Sequence, residues 1–289
     1  SMVTAGWWKS SFRCVWRFAP HCVMPAVFWM ICSLTVIVAT DVSMESLHRQ
    51  SIELQDLIIS GAVLLFGLVL SLSFFVMGFG SWIVRLTAYC KFLLDNAEAS
   101  GATDAELLDK QSGALTAAKE RRGYVWGALF WASLFMLIPF FVLVAVICVK
   151  VASIRQVMGP LTINLDIGVN LVLFAIGLPL FIALLVYSFV VLAAAAVSNQ
   201  SPSNCAKQSL SLSFSLFLPL SAVIIIFAII NVVIGTPADL PQLLRPELIL
   251  EKRNVYLTAL SQVWQGVVSI VLFPLSLTPV CEILRGRIR

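Results

Sequence analysis

Six long apolar stretches fill the chain, at about residues 20–40, 57–82, 124–149, 168–197, 212–235 and 255–284. A hydrocarbon core about 30 Å thick takes roughly 20 helical residues to cross, and each stretch reaches or nearly reaches that length. Segments such as Ile58–Leu72 and Leu171–Val197 offer almost none of the polar face that a soluble helix needs. The composition agrees, with 60% hydrophobic and 12% charged residues and a mean hydropathy of +0.97. The expected fold is all-α: a polytopic transmembrane helical bundle of about six spans. They are arranged as three in–out–in hairpins with interfacial amphipathic segments, in a single integral membrane domain over residues 1–289. Ser1-Met2 reads as a tag remnant. The first apolar run reads as a span rather than a cleaved leader, because no small-x-small site closes it.

The net charge of +4 gains meaning once it is placed on that topology. Lys9, Arg13 and Arg17 precede the first span, and Arg85, Lys91, Lys110, Lys119, Arg121 and Arg122 follow the second. Lys207 lies between the fourth and fifth, and Arg285, Arg287 and Arg289 end the chain. The opposite side holds Arg49, Lys150, Arg155, Arg245, Lys252 and Arg253. Thirteen against six places both termini in the cytoplasm by the positive-inside bias. Lys9, Arg13, Arg17, Arg121, Arg122, Arg285 and Arg287 then become membrane-interface anchors. The seven cysteines lack metal or disulfide spacing and read as small apolar packers or cytosolic thiols.

The largest polar segment is a cytosolic connector, residues 85–123. Its stretch from Asp104 to Glu120 predicts a helix, with Thr103 and Glu106 in capping-box spacing and basic residues at its end. It reads as a solvated connector, or as a docking element for a cytosolic partner. On the other side, Lys150–Ile167 carries a Gly159-Pro160 turn, and Leu243, Leu244, Leu248, Ile249 and Leu250 suggest an interfacial helix. Ser10–Ile31 can be laid on Ser209–Ile230 so that Phe18 meets Phe217 and Pro20 meets Pro219. Lys119 through Pro139 resembles both more loosely. Pro139, Pro179, Pro219, Pro274 and Pro279 lie in the spans, where each removes a backbone donor and bends its helix.

Catalytic chemistry is hard to assemble. The two histidines, His21 and His48, lie far apart in sequence, and no zinc-protease, nucleophile-elbow or phosphate-cradling motif occurs. The chain therefore reads as a non-enzyme with no cofactor and no metal site. Glu282 is the one carboxylate drawn into a span. It can pair with Arg285 or serve as a proton-coupling group. Gln262 and Gln265 share a face of span 6 with Ser269, and with Asn231 they are candidate cavity-lining groups. Ser209, Ser211, Ser213 and Ser215 alternate with a period better suited to a strand. The eight tryptophans cluster largely near span boundaries, as aromatic belts do.

Three stretches carry a family resemblance: Lys9–Pro20, Asn204–Pro219, and Phe273–Arg289 with Leu284-Arg285-Gly286-Arg287. In them the chain resembles the bacterial YciC-like integral membrane proteins, which are related to the membrane domain of some glycerophosphodiester phosphodiesterases. Cys281-Glu282-Ile283 stands where that family often has tyrosine and aspartate. The resemblance implies a six-helix, non-catalytic domain in a bacterial inner membrane.

Two functions follow. The first is a non-enzymatic scaffold, assembly or envelope-maintenance component with a protein partner or a second copy beside the lipid bilayer. The alternative is a transporter or lipid-handling protein for a small or amphipathic substrate. Nucleic acid is not an expected partner, because the basic residues follow the membrane boundary.

Overall fold

The structure, a computed structural model, describes residues 5–47, 54–96, 103–155, 173–235 and 255–288. The described residues are almost entirely helical and contain no strand. The helices are α1 (Ala5–Leu47), α2 (Leu54–Asp95), α3 (Asp104–Glu120), α4 (Arg122–Phe135) and α5 (Leu137–Arg155). They continue with α6 (Leu178–Val197), α7 (Pro202–Ser215), α8 (Phe217–Ile230) and α9 (Val255–Leu284). A π-helical turn, Leu173–Gly177, leads into α6, and another, Asn231–Gly235, ends α8. The expected Gly159-Pro160 turn and the Leu243–Leu250 interfacial helix lie outside the described residues.

Among the described residues, five helical segments are long and apolar enough to cross a bilayer: Ser11–Ser43, Gln55–Asp95, Ala175–Val197, Phe217–Gly235 and Ala259–Leu284. A sixth forms if α4 and the following Leu137–Ala145 are taken as one span bent by 52°. The chain is thus a multi-pass membrane protein built as an all-α bundle. Its outward faces agree, because Leu65, Phe66, Leu68 and Val69 of α2 and Ile138 and Phe141 of α5 are exposed. A surface this apolar needs lipid around it. The third and fifth expected spans begin differently from their sequence reading. The apolar run over 124–149 is broken at Met136, and the fifth crossing starts at Phe217 rather than at residue 212.

Proline explains both breaks. Pro139 and Pro219 cannot donate to the carbonyl four residues back, and their rings crowd it. Those carbonyls belong to Phe135 and Ser215, the last residues of α4 and α7. Each lead-in helix is 14 residues long, followed by one non-helical residue, Met136 or Leu216, with the proline three residues further on. The closer internal echo therefore joins α4–α5 to α7–α8. The Ser10–Ile31 stretch departs from it, because α1 runs unbroken through Pro20 and Pro25. Pro274 and Pro279 likewise sit inside an uninterrupted α9.

Contacts divide the chain into two units. The first comprises residues 1–89, 98–115 and 227–275. Here α1 and α2 form a long antiparallel hairpin. Ser43 Oγ donates to Ser60 O at 3.3 Å, Ser71 Oγ donates to Cys32 O at 3.3 Å, and Phe28 packs on Phe74. Helix α1 spans about 64 Å at 1.5 Å per residue, far more than the hydrocarbon core. Its N-terminal part is free to carry other structure. Helix α3 docks there through Leu107 and Gln111, both fully buried, and Gln111 Nε2 donates to Cys14 O at 3.1 Å. The expected capping box is present: Thr103 N donates to Glu106 Oε2 at 2.8 Å, and Glu106 N to Thr103 Oγ1 at 3.4 Å. The connector thus spends its apolar face on α1.

The second unit comprises residues 90–97, 116–226 and 276–289. Helices α4, α6 and α7 pack together in it. Ala193, Ala194, Ala195 and Ala196 of α6 are fully buried, and small side chains of this kind let membrane helices approach closely. Tyr187 donates its hydroxyl to Ala206 O at 3.0 Å. The alternating serines are helical after all. Ser209 and Ser213 face inward, each donating to a carbonyl four residues back at 2.7 Å, while Ser211 and Ser215 are exposed.

One contact makes the α1–α2 hairpin testable. A Cβ at Gly67 would lie 2.4 Å from Ala39 Cβ, whereas one at Gly61 meets nothing within 4 Å. Gly67→Leu is expected to destabilise the protein by about 1–3 kcal/mol through overpacking. Gly61→Ala is expected to be neutral or slightly stabilising. Thermal denaturation of the two variants in mild detergent checks this.

Candidate functional site

Within the first unit, α1, α2, α9 and the π-helical turn after α8 line a partly open cavity of about 290 Å³. Helix α9 contributes Gln265, Ser269 and Phe273, spaced four apart and so aligned on one face over about 12 Å. Helix α2 contributes Phe79, Trp82, Ile83 and Leu86, and α1 contributes Trp29. Asn231 enters from the π-helical turn that ends α8. Turns of this kind widen a helix by one residue and recur at functional sites. Four of the nine lining residues are aromatic, with the Trp82 and Phe273 rings 5.2 Å apart. Among the described residues, no charged side chain lines it.

The polar groups of the cavity are amides and one hydroxyl. Ser269 Oγ donates to Gly266 O at 2.7 Å. Among the described residues, the Asn231 and Gln265 side chains have no hydrogen-bond partner. Asn231 is exposed and Gln265 half-buried, so both amides are open to a guest or to water. The local backbone is tied down, because Trp264 Nε1 donates to Ile234 O at 2.6 Å. Gln262 is half-buried and absent from the lining, so of the two glutamines only Gln265 reaches the cavity. Trp29 and Trp82 form part of the cavity wall.

Glu282 lies in the second unit, where its carboxylate pairs with Arg285 Nη1 at 2.7 Å. That is the i,i+3 pairing the sequence suggested. The interface cations separate into groups. Arg13 donates from Nε and Nη2 to Asp104 Oδ1 at 2.8 and 2.5 Å, and Arg17 Nη2 donates to Asp104 Oδ2 at 2.5 Å. The hydrogen bonds and charge of Arg13, and then of Arg17, hold the exposed Asp104 carboxyl below its usual range. Arg121 donates to the carbonyl of Ser198, which caps the end of α6, and its guanidinium lies over the Tyr124 ring at 5.0 Å. Arg285 Nη2 donates to Leu93 O in the last turn of α2 at 2.8 Å. Arg122 and Arg287 are exposed, and the side chain of Lys9 lies outside the described ones.

Arg85 makes the most informative of these contacts. Its Nε donates to His21 O at 2.6 Å and its Nη1 to Ser81 Oγ at 2.7 Å. The backbone partner of His21 O in a regular helix would be residue 25, which is a proline with no N–H. The sequence signal was present, a proline in one span and an arginine bordering the next, but their pairing is a tertiary fact. Cys205, packed among the Tyr124, Ser198 and Ser209 hydroxyls, is fully buried. Burial pushes its thiol up, which keeps it protonated and unreactive.

No family model, curated protein or solved structure matches the chain. The resemblance to the YciC-like proteins rests on its three short stretches.

The arginine contacts predict unequal costs for neighbouring cations. Arg121→Ala removes a charge-assisted hydrogen bond to a helix-end carbonyl and should cost about 1.5–3 kcal/mol. Arg122→Ala, at an exposed position, should stay within about 0.5 kcal/mol of the parent. Chemical denaturation of both variants in detergent separates them.

Proposed function

We propose that the protein is a non-catalytic, multi-pass membrane component that accommodates an amphipathic, lipid-like guest in the cavity between α1, α2, α9 and the π-helical turn after α8. The observation that carries this reading is an open, largely apolar cavity, four of its nine lining residues aromatic, in which the amides of Asn231 and Gln265 have no hydrogen-bond partner among the described residues. Apolar sites with a few placed polar groups are the usual form of small-molecule pockets, and about 290 Å³ lies near the lower end of their range. That volume suits one chain or ring of a guest rather than a whole phospholipid. An uncharged lining favours an ester, amide or hydroxyl group next to the apolar part, since an ion would have no counter-charge there.

In this reading both termini lie on the cytoplasmic side, as the distribution of Lys and Arg favours. The resemblance to YciC-like proteins would put the chain in a bacterial inner membrane. A scaffold role is the second reading. It draws on the outward apolar faces, which would also suit a neighbouring membrane protein.

Extraction in mild detergent followed by native mass spectrometry tests the first reading. The parent should carry a bound amphipath, and Ser269→Phe, which places a ring in the cavity, should lose most of it while keeping its thermal stability. Bound material that is unchanged in Ser269→Phe, or none in the parent, overturns the cavity reading.

A further inference from the structure

The N-terminal part of α1 presents two adjacent stripes. Phe12, Trp16, Pro20, Val23 and Val27 fall within one narrow arc of the helix and are all exposed. Phe12 and Trp16, 52% and 63% exposed, lie nearly parallel with their rings 6.3 Å apart. Arg13 and Arg17 form the neighbouring stripe, their side chains 40% and 47% exposed. Both guanidiniums converge on a single carboxylate, Asp104. Two positive charges share one negative charge, so the trio keeps a net charge of +1 at an accessible position.

Depth along the helix fixes what this surface meets. From Phe18 to Thr40 the chain has no Asp, Glu, Lys or Arg, a length of about 34 Å that matches the hydrocarbon core. Arg13 and Arg17 therefore stand at headgroup height. The stripe from Trp16 to Val27 descends from there into the acyl region. A guanidinium pairs with phosphate through parallel N–H bonds, and Asp104 takes only two N–H groups of Arg13 and one of Arg17.

We propose that Arg13 and Arg17 hold the phosphate of an anionic phospholipid beside Asp104, with one acyl chain lying along Trp16, Pro20, Val23 and Val27. The surplus positive charge selects a headgroup with net negative charge, because the ammonium of a zwitterionic lipid would be repelled by the same cations. Asp104 competes with the phosphate for the two guanidiniums, so lipid binding and the docking of α3 onto α1 draw on the same groups. The site is separate from the uncharged cavity, and either can stand without the other.

Titrating the full-length protein in detergent with phosphatidylglycerol or phosphatidylcholine, read by native mass spectrometry, tests this. The parent should bind phosphatidylglycerol more tightly than phosphatidylcholine. Arg13→Gln/Arg17→Gln should weaken phosphatidylglycerol by roughly thirtyfold, the contribution expected of two basic side chains at an anionic surface. Lys110→Gln/Lys119→Gln, which removes the same charge from α3, should change it less than about twofold. Asp104→Asn should tighten it, and this arm remains decisive if the arginine double variant does not fold. Equal binding of the two lipids, an equal loss in the lysine variant, or weaker binding in Asp104→Asn overturns the proposal.

Discussion

A carbonyl oxygen that has lost its backbone donor must find another partner in or beside a lipid bilayer, and in this fold arginine side chains supply one at three places. Proline and helix ends create the orphans, and arginines reach across to them. Arg85 serves His21, whose backbone partner would be Pro25. Arg121 serves Ser198 at the end of α6, and Arg285 serves Leu93 in the last turn of α2. A charged donor on a partly buried carbonyl contributes about 1.5–3 kcal/mol, well above an exposed ion pair. Each of these contacts also fixes one helix, or one bend of the chain, against another. The arginines that the positive-inside bias counts as orientation signals therefore have a second role as caps.

The same constraint explains how prolines are tolerated in such different ways. Helices α4 and α7 end where the proline ring would crowd the carbonyl four residues earlier, and the chain turns there into α5 and α8. Helix α1 keeps going through Pro25 because a neighbour supplies the missing donor. Bending at Pro139 and Pro219 and capping at Pro25 are two solutions to one problem. Beside the cavity a side chain again serves a backbone carbonyl, because Trp264 ties down Ile234 O in the π-helical turn that carries Asn231.

Much of this was legible in the sequence. Apolar run lengths gave the all-α, multi-pass fold, because the bilayer thickness imposes them. Thr103 and Glu106 gave the start of α3, since a capping box acts over three residues. The pairing of Glu282 with Arg285 was likewise local. What stayed hidden depends on helices far apart in sequence. The docking of α3 on α1 needs Gln111 to find Cys14, and the role of Arg85 needs Pro25 beside it. Gln262 and Gln265 share a helix face in sequence, yet only Gln265 lines the cavity, because that depends on where α2 and α8 lie. The serine alternation of α7 misled for a related reason: its inner pair is satisfied within the helix while its outer pair is exposed.

The most direct measurement is a double-mutant cycle between Arg85 and Pro25, read as unfolding free energy in mild detergent. Arg85→Met in the parent should cost about 1.5–3 kcal/mol. In a Pro25→Ala background the backbone N–H of residue 25 can serve His21 O itself, and the same arginine substitution should then cost less by about 1 kcal/mol or more. An arginine penalty of the same size in both backgrounds would contradict the claim that this side chain replaces a donor the proline removed.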